Sequence, residues 1–380
     1  MTTGQPLIAV DASILGRIMS GVGVYAENIL RYAKTSELQF ALFSDVELDP
    51  IRISGHPCQV VPLPFASRIP GKNFLGPLWT HILLPRAVNK LHPSLLWSPY
   101  FHVPLLGRVP TIATIHDTNI IDVKVRAHPL VWKRYFLWML ARSAHKATHI
   151  IVPSQRIADA LVRLYGTPAD RISVIPHGVA EEFRAASDPQ VAQRLRAELG
   201  INGDFILFVG SLGDRKNAIT LVRAYSQLPG EVQQAFQLVI VGPGGSDEEK
   251  IRGLIQELQL QERVLLTGYV DYSVVPELYH MATVFALPSL CESFGLPIVE
   301  AMAAGVPVLT SNTTSIPEVA GDAAILLPPT DVEAWTRELQ RVLTDTAMRE
   351  DLRRRGYERA KLYSWPEAAR QHVEVFRRFL

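Results

Sequence analysis

Thirteen short apolar runs, each ending on a polar or turn-forming residue, constrain this chain more than any other feature of it. Seven lie in the first half: LIAVD (7–11), FALFS (40–44), CQVVP (58–62), LLWSP (95–99), TIATIH (111–116), HIIVP (149–153) and ISVIP (172–176). Six follow: FILFVG (205–210), QLVIVG (237–242), RVLLTG (263–268), VFALP (284–288), VPVLT (306–310) and AILLP (324–328). Helix-length stretches separate several of them. A short run that is apolar on both faces reads as a strand covered from both sides, as in parallel sheets flanked by helices. The expected fold class is therefore α/β, with two doubly wound Rossmann-like domains. The length of 380 residues agrees, because single cores stop growing well below it. The junction is expected between His177 and Asp204, a polar stretch with Pro189, Gly200 and Gly203, giving domains of about 1–180 and 181–380.

Two cysteines, Cys58 and Cys291, are too few for a disulfide framework, and the first residues form neither a basic leader nor an apolar run. A cytoplasmic location is expected. The densest apolar stretch, YFLWMLA (135–141), is far short of the roughly 18 residues that span a bilayer. The net charge of +1 hides an asymmetry: residues 1–180 hold 18 Lys and Arg against 10 Asp and Glu, a net +8, and residues 181–380 hold 20 against 27, a net −7. The halves face different partners or different surfaces.

Ligands of open parallel sheets bind beyond the carboxyl ends of the strands. That edge should hold Asp11, His116 and Ser154 in the first domain, and residues 210–217, 242–245, Tyr269 and 292–300 in the second. In CESFGLPIVE (291–300), Pro297 fits the first position of a helix over 297–304, with Gly305 just past its end. Glu300 is then expected in the first turn and Glu292 on the entering loop, while residues 294–296 present backbone N–H groups at a positive helix end. Acids are common at any solvated helix start, but a ligand carrying phosphate and hydroxyls, such as a sugar nucleotide, would use both features. In GSLGDRKN (210–217), Asn217 is a plausible cap for a helix from Ala218. Arg215 and Lys216 at that strand end can neutralise a diphosphate, one by paired hydrogen bonds and the other as a point charge. A surface Arg-Lys turn would look the same alone; Gly242, Gly244, Gly245 and Glu292 converge on the same edge.

The order of motifs closely resembles the large retaining glycosyltransferase family four, of the GT-B fold, and within it bacterial mannosyltransferases of surface polysaccharide synthesis. The matching segments are SGVGVYAENIL (20–30), TIHD (114–117), IIVPSQ (150–155), VIPHGV (174–179), FVGSLGDRKN (208–217), CESFGLPIVEAMAAGVPVL (291–309), SIPEVAGDAAIL (315–326) and SWPEAA (364–369). The resemblance implies an acceptor-binding first domain and a nucleotide-sugar-binding second domain facing each other across a cleft. The last helix, about 365–380, would pack back on the first domain. It further implies that Glu300 accepts hydrogen bonds from ribose hydroxyls and Glu292 from the donor sugar, with Arg215 and Lys216 holding the diphosphate near Gly210. Backbone groups of Phe294, Gly295 and Leu296 would hold the donor, and Tyr269 and Val270 would pack on the base. Gly21 and Gly23 would form a loop near the transferred group, though an ordinary turn would serve, and His116 would touch the donor sugar, though a buried strand-end histidine is the alternative.

The implied reaction retains anomeric configuration, builds oxocarbenium character on the sugar and places negative charge on the departing diphosphate, where fixed cations help most. No Asp-x-Asp and no His/Cys set with ligand spacing occurs, so neither metal nor cofactor is expected beyond the donor, taken as GDP-mannose with rhamnosyl and glucosyl donors as the alternatives. Three rivals remain. GVGVYA (21–26) with Asp45 imitates a nicotinamide site, but nine residues separate Asp11 from Gly21, where such glycines should leave the strand directly. A nucleotide-sugar epimerase and a noncatalytic sugar binder are the others. The acceptor is expected to be a saccharide, lipid-diphosphate-linked, with no nucleic-acid partner. HPLVWKRYFLWMLARSAHK (128–146) and the Pro-rich stretch 62–77, carrying Arg68 and Lys72, are expected to meet an anionic membrane surface; a helix covering the sheet would need much the same apolar face.

Overall fold

The protein is described from a computed structural model at residues 5–16, 21–35, 37–62, 76–118 and 130–380. Each apolar run contains a strand. They are β1 (Leu7–Asp11), β2 (Gln39–Ser44), β3 (Cys58–Val60), β4 (Leu95–Ser98), β5 (Thr111–Thr114), β6 (His149–Val152), β7 (Ile172–Val174), β8 (Asp204–Val209), β9 (Phe236–Val241), β10 (Val264–Gly268), β11 (Val284–Leu287), β12 (Val308–Ser311) and β13 (Ile325–Leu327). Two sheets result, ordered β3-β2-β1-β4-β5-β6-β7 and β10-β9-β8-β11-β12-β13, with every neighbouring pair parallel. Strands β4, β5, β6, β11 and β12 are buried along their whole length, as strands covered on both faces must be.

In each sheet the strand order reverses beside the first strand, between β1 and β4 and again between β8 and β11. Loops leaving such a pair in opposite directions open a crevice at the carboxyl edge. In the second sheet those are the loops that carry Arg215, Lys216 and Glu292.

The described residues form two compact units: one runs to Gly178 and resumes at Trp365, and the other takes Val179–Ser364. Within the first unit the C-terminal helix, Trp365–Arg377, lies against helix Gly21–Tyr32. A buried chain of hydrogen bonds joins them. His372 Nδ1 is 2.6 Å from the Ala368 carbonyl and must donate to it, so Nε2 accepts from the Tyr25 hydroxyl at 2.5 Å. The Tyr25 oxygen in turn receives the Thr114 hydroxyl at 2.8 Å, and Thr114 receives Trp97 Nε1 at 3.3 Å.

Helix Leu130–Lys146 buries Met139, Leu140 and Ala144 in the core, with Tyr135 and Phe136 packed against it, while Arg134 and Trp138 face outward. Covering the sheet thus accounts for most of its described apolar residues. The Pro-rich stretch with Arg68 and Lys72 lies outside the described residues.

Candidate active site

The first component of the site is the turn after β8. A short 3-10 turn, Asp214–Lys216, leads into helix Ala218–Ser226. Asn217 stands at the start of that helix but does not cap it as expected. Its backbone is left-handed (φ 53°), and its amide donates instead to the carbonyls of Pro288 (3.1 Å) and Pro329 (2.7 Å). It thereby ties the turn to the loop after β11. The Lys216 stem runs across Gly210, where a Cβ would sit 3.3 Å from three of its methylenes. Gly242 and Gly245 have a packing role: a Cβ at Gly242 would lie 2.1 Å from the Gly210 carbonyl oxygen, and one at Gly245 2.5 Å from the Leu212 carbonyl carbon. The loop after β9 is pressed backbone to backbone against the loop that carries the cations.

Glu292 sits on the loop between β11 and helix Leu296–Ala303 and is 5% exposed. Its Oε1 accepts from Lys216 Nζ at 2.6 Å and from the Ser289 hydroxyl at 2.6 Å. Among the described residues no hydrogen bond reaches Oε2. Burial pushes this carboxyl up, but the charges of Lys216 and Arg215 and the two hydrogen bonds outweigh it, so the group is held below its ordinary value and ionised.

Glu300 is different. The helix begins at Leu296, one residue earlier than expected, which moves Glu300 out of the first turn. It is 6% exposed, and its two oxygens accept separately from Tyr272 (2.9 Å) and Tyr279 (3.1 Å). Burial raises its pKa to about 6 against the opposing pull of the two phenols and of Lys216. One carboxylate is therefore fixed in the charged form, and the other titrates near neutrality.

Gly295 enters the helix at φ 101°, a conformation only glycine adopts readily. The Phe294 ring is buried edge-on against Tyr363, and Leu296 packs on the same core, so these side chains belong to the interior. Tyr269, just past β10, is 64% exposed, while Val270 rests on the core. In the first unit, His116 lies two residues beyond β5, with Nε2 2.8 Å from the Pro99 carbonyl; Nε2 carries the proton and burial lowers the pKa to about 4, so the ring is neutral. It stands edge-on to Tyr25 with ring centres 4.6 Å apart. Gly21 and Gly23 correct an expectation: they form the first turn of helix Gly21–Tyr32, not a loop.

The second unit thus gathers Gly210, Arg215, Lys216, Tyr269, Val270, Glu292, Phe294, Gly295, Leu296 and Glu300 at the carboxyl edge of its sheet. Sequence reasoning missed Ser289, Tyr272, Tyr279 and Thr314. The tyrosines had no signal, since Tyr272 lies in a 3-10 turn, Tyr272–Val274, and Tyr279 in the helix that follows, Val275–Met281. The same holds for a lone serine and a lone threonine.

Two parallel-sheet units with cations and paired acids at a switch point define a glycosyltransferase of the GT-B type. The family described as Glycosyl transferases group 1 matches residues 192–359, and that described as Glycosyltransferase Family 4 matches residues 19–183. The chain is 33% identical over 309 residues to the O-antigen chain mannosyltransferase B of Escherichia coli, covering 78% of this chain and 80% of that one. It is 32% identical over 238 residues to the serotype-specific mannosyltransferase WbdA of Escherichia coli, covering 62% of this chain and 29% of that longer one. Sucrose-phosphate synthase from Thermosynechococcus elongatus shares the fold, with a TM-score of 0.79 over 99% of both chains at 23% identity. The chain belongs to glycosyltransferase family four, which sets aside the oxidoreductase and epimerase readings.

Proposed function

We propose that the protein transfers mannose from GDP-mannose, with retention of configuration, to a lipid-diphosphate-linked saccharide in surface polysaccharide synthesis. The observation that carries the reading is the state of Glu292: Oε1 is occupied by Lys216 and Ser289, while among the described residues no hydrogen bond reaches Oε2, the oxygen assigned to a hydroxyl of the donor sugar. The likeness to an O-antigen mannosyltransferase favours mannose.

In this reading the second unit, roughly 181–380 without its last helix, binds the donor, and the first, roughly 1–180, binds the acceptor. Arg215 and Lys216 receive the charge that develops on the diphosphate as the glycosidic bond to it breaks. Glu300 takes the ribose hydroxyls, Tyr269 and Val270 the base, and the backbone of 294–296 the phosphates or sugar. His116, neutral, presents an imidazole to the sugar. The acceptor hydroxyl bonds to the anomeric carbon on the face the diphosphate leaves, and its proton goes to the leaving phosphate oxygen. No metal is needed where two fixed cations meet the leaving group. Arg134, Trp138 and the half-buried Arg142 line one side of helix Leu130–Lys146, where an anionic lipid surface at the cytoplasmic face would meet them.

GDP titration and turnover of two variants test the division of labour. Glu300→Ala should weaken GDP binding at least about tenfold, whereas Glu292→Ala should keep GDP affinity and lose transfer. Equal loss of GDP affinity in both would contradict it, and turnover with a rhamnosyl or glucosyl donor but not GDP-mannose would replace the donor.

A further inference from the structure

Five non-glycine residues among those described have a positive φ: Ser54, His92, Asn217, Gln259 and Thr314. Thr314, at φ 54°, is the β-branched one, and a β-branched residue in this region is a true outlier because its Cβ crowds its own backbone. Strain of this kind persists where surrounding contacts impose it, and it clusters at functional sites. Thr314 stands on the loop between β12 and helix Ile316–Ala320. Its Oγ1 accepts the backbone N–H of Glu292 at 3.0 Å and donates to the Thr313 carbonyl at 2.8 Å. Thr313 Oγ1 donates to the Leu290 carbonyl at 3.1 Å. Two adjacent hydroxyls thus grip the loop that carries Glu292.

We infer that Thr314 is a positioning residue: its hydroxyl, delivered by a left-handed backbone, fixes the main chain of Glu292 and so aims the carboxylate at the transferred sugar. The inference rests on the reading that Glu292 meets the donor. Lys216 and Ser289 hold one oxygen of the carboxylate, but neither fixes the main chain from which that side chain springs. The Thr314 contact does. A shift of about 1 Å at a reacting centre costs on the order of a hundredfold in rate, so the anchor acts on turnover more than on binding.

Three substitutions separate placement from support. Thr314→Ser keeps the hydroxyl, Thr314→Val keeps the shape, and Thr314→Gly removes the hydroxyl while relieving the backbone. Expected for Ser is turnover within about threefold of wild type; expected for Val and Gly is a kcat at least about tenfold lower with donor KM little changed. The Gly variant should also melt no lower than wild type, and amide exchange over residues 289–296 of the free protein should quicken in Val and Gly but not in Ser. An enzyme that melts no lower yet turns over more slowly is not what a purely structural threonine produces. Wild-type turnover and exchange in Val and Gly would overturn the inference, as would equal losses in all three. Glu292→Gln serves as the control: if it turns over normally, the reading of Glu292 fails while the exchange data still decide whether Thr314 anchors it. If GDP-mannose is not turned over by the wild type, exchange alone decides.

Discussion

Lys216 and Glu292, 76 positions apart in sequence, meet at 2.6 Å with only 15% and 7% of their side chains exposed. The lysine is engaged before any diphosphate arrives, and a ligand phosphate must share it with the carboxylate. Breaking a buried pair by removing one partner leaves the other charge uncompensated.

Lys216→Ala should therefore cost stability as well as rate: about 3 kcal/mol in urea unfolding, part of it recovered in the double variant with Glu292→Gln. Arg215 sits half-buried on the same turn. Arg215→Ala should lower turnover at least about tenfold. Unchanged turnover in both single variants would remove the leaving-group role from the turn.

The two glutamates differ in their dependence on pH. Glu300 has a folded pKa of about 6, above its ordinary 4.5, because burial favours the neutral form. Its contribution to stability is fully present below pH 4.5 and is lost as pH rises through 6, a span worth roughly 2 kcal/mol. Glu300→Gln should flatten this part of the stability curve. Over the same interval GDP affinity should rise, since the ionised carboxylate is the better acceptor for ribose hydroxyls. Calorimetric titration at pH 5 and pH 7.5 checks the sign, and affinity that falls with pH would exclude Glu300 from the ribose.

Turnover should be unaffected by prolonged dialysis against EDTA. The charge of the leaving group is assigned to Arg215 and Lys216, so a complete loss restored by a divalent cation would mean that these side chains do not suffice.

Neutralising Arg134 and Arg142 should weaken co-sedimentation with anionic vesicles and leave transfer to a soluble saccharide unchanged. Basic residues near such a surface contribute about 1 kcal/mol each, and the binding should fall with salt. Indifference of the wild type to anionic vesicles at low salt would confine the helix to its role as a cover for the sheet.

Much of the architecture was legible because burial on two faces writes itself as continuous apolar runs; β1 and β11 could be placed almost to the residue. The charged members of the candidate site were singled out because Arg215, Lys216 and Glu292 follow the ends of strands; Glu300 lies farther on, inside helix Leu296–Ala303. What escaped was the geometry among them. Nothing in the spacing of Lys216 and Glu292 says that they pair, because the contact is made by strand order. Asn217 looked like a cap by residue type, yet its amide found two carbonyls from distant loops that a local rule cannot see. Gly21 and Gly23 were expected in a loop on the resemblance alone, yet they open helix Gly21–Tyr32 although glycine disfavours helices.

The return of the chain to the first unit at Trp365 has a consequence for biosynthesis. Residues Val179–Ser364 are one continuous piece and have their full set of strands once that piece has been made. The first unit is interrupted: Tyr25 and Trp97 wait for His372 and Phe376, which are translated only after the entire second unit. The earlier-made half of the enzyme is therefore the later to close, and until then helix Gly21–Tyr32 keeps an apolar face that a chaperone can recognise.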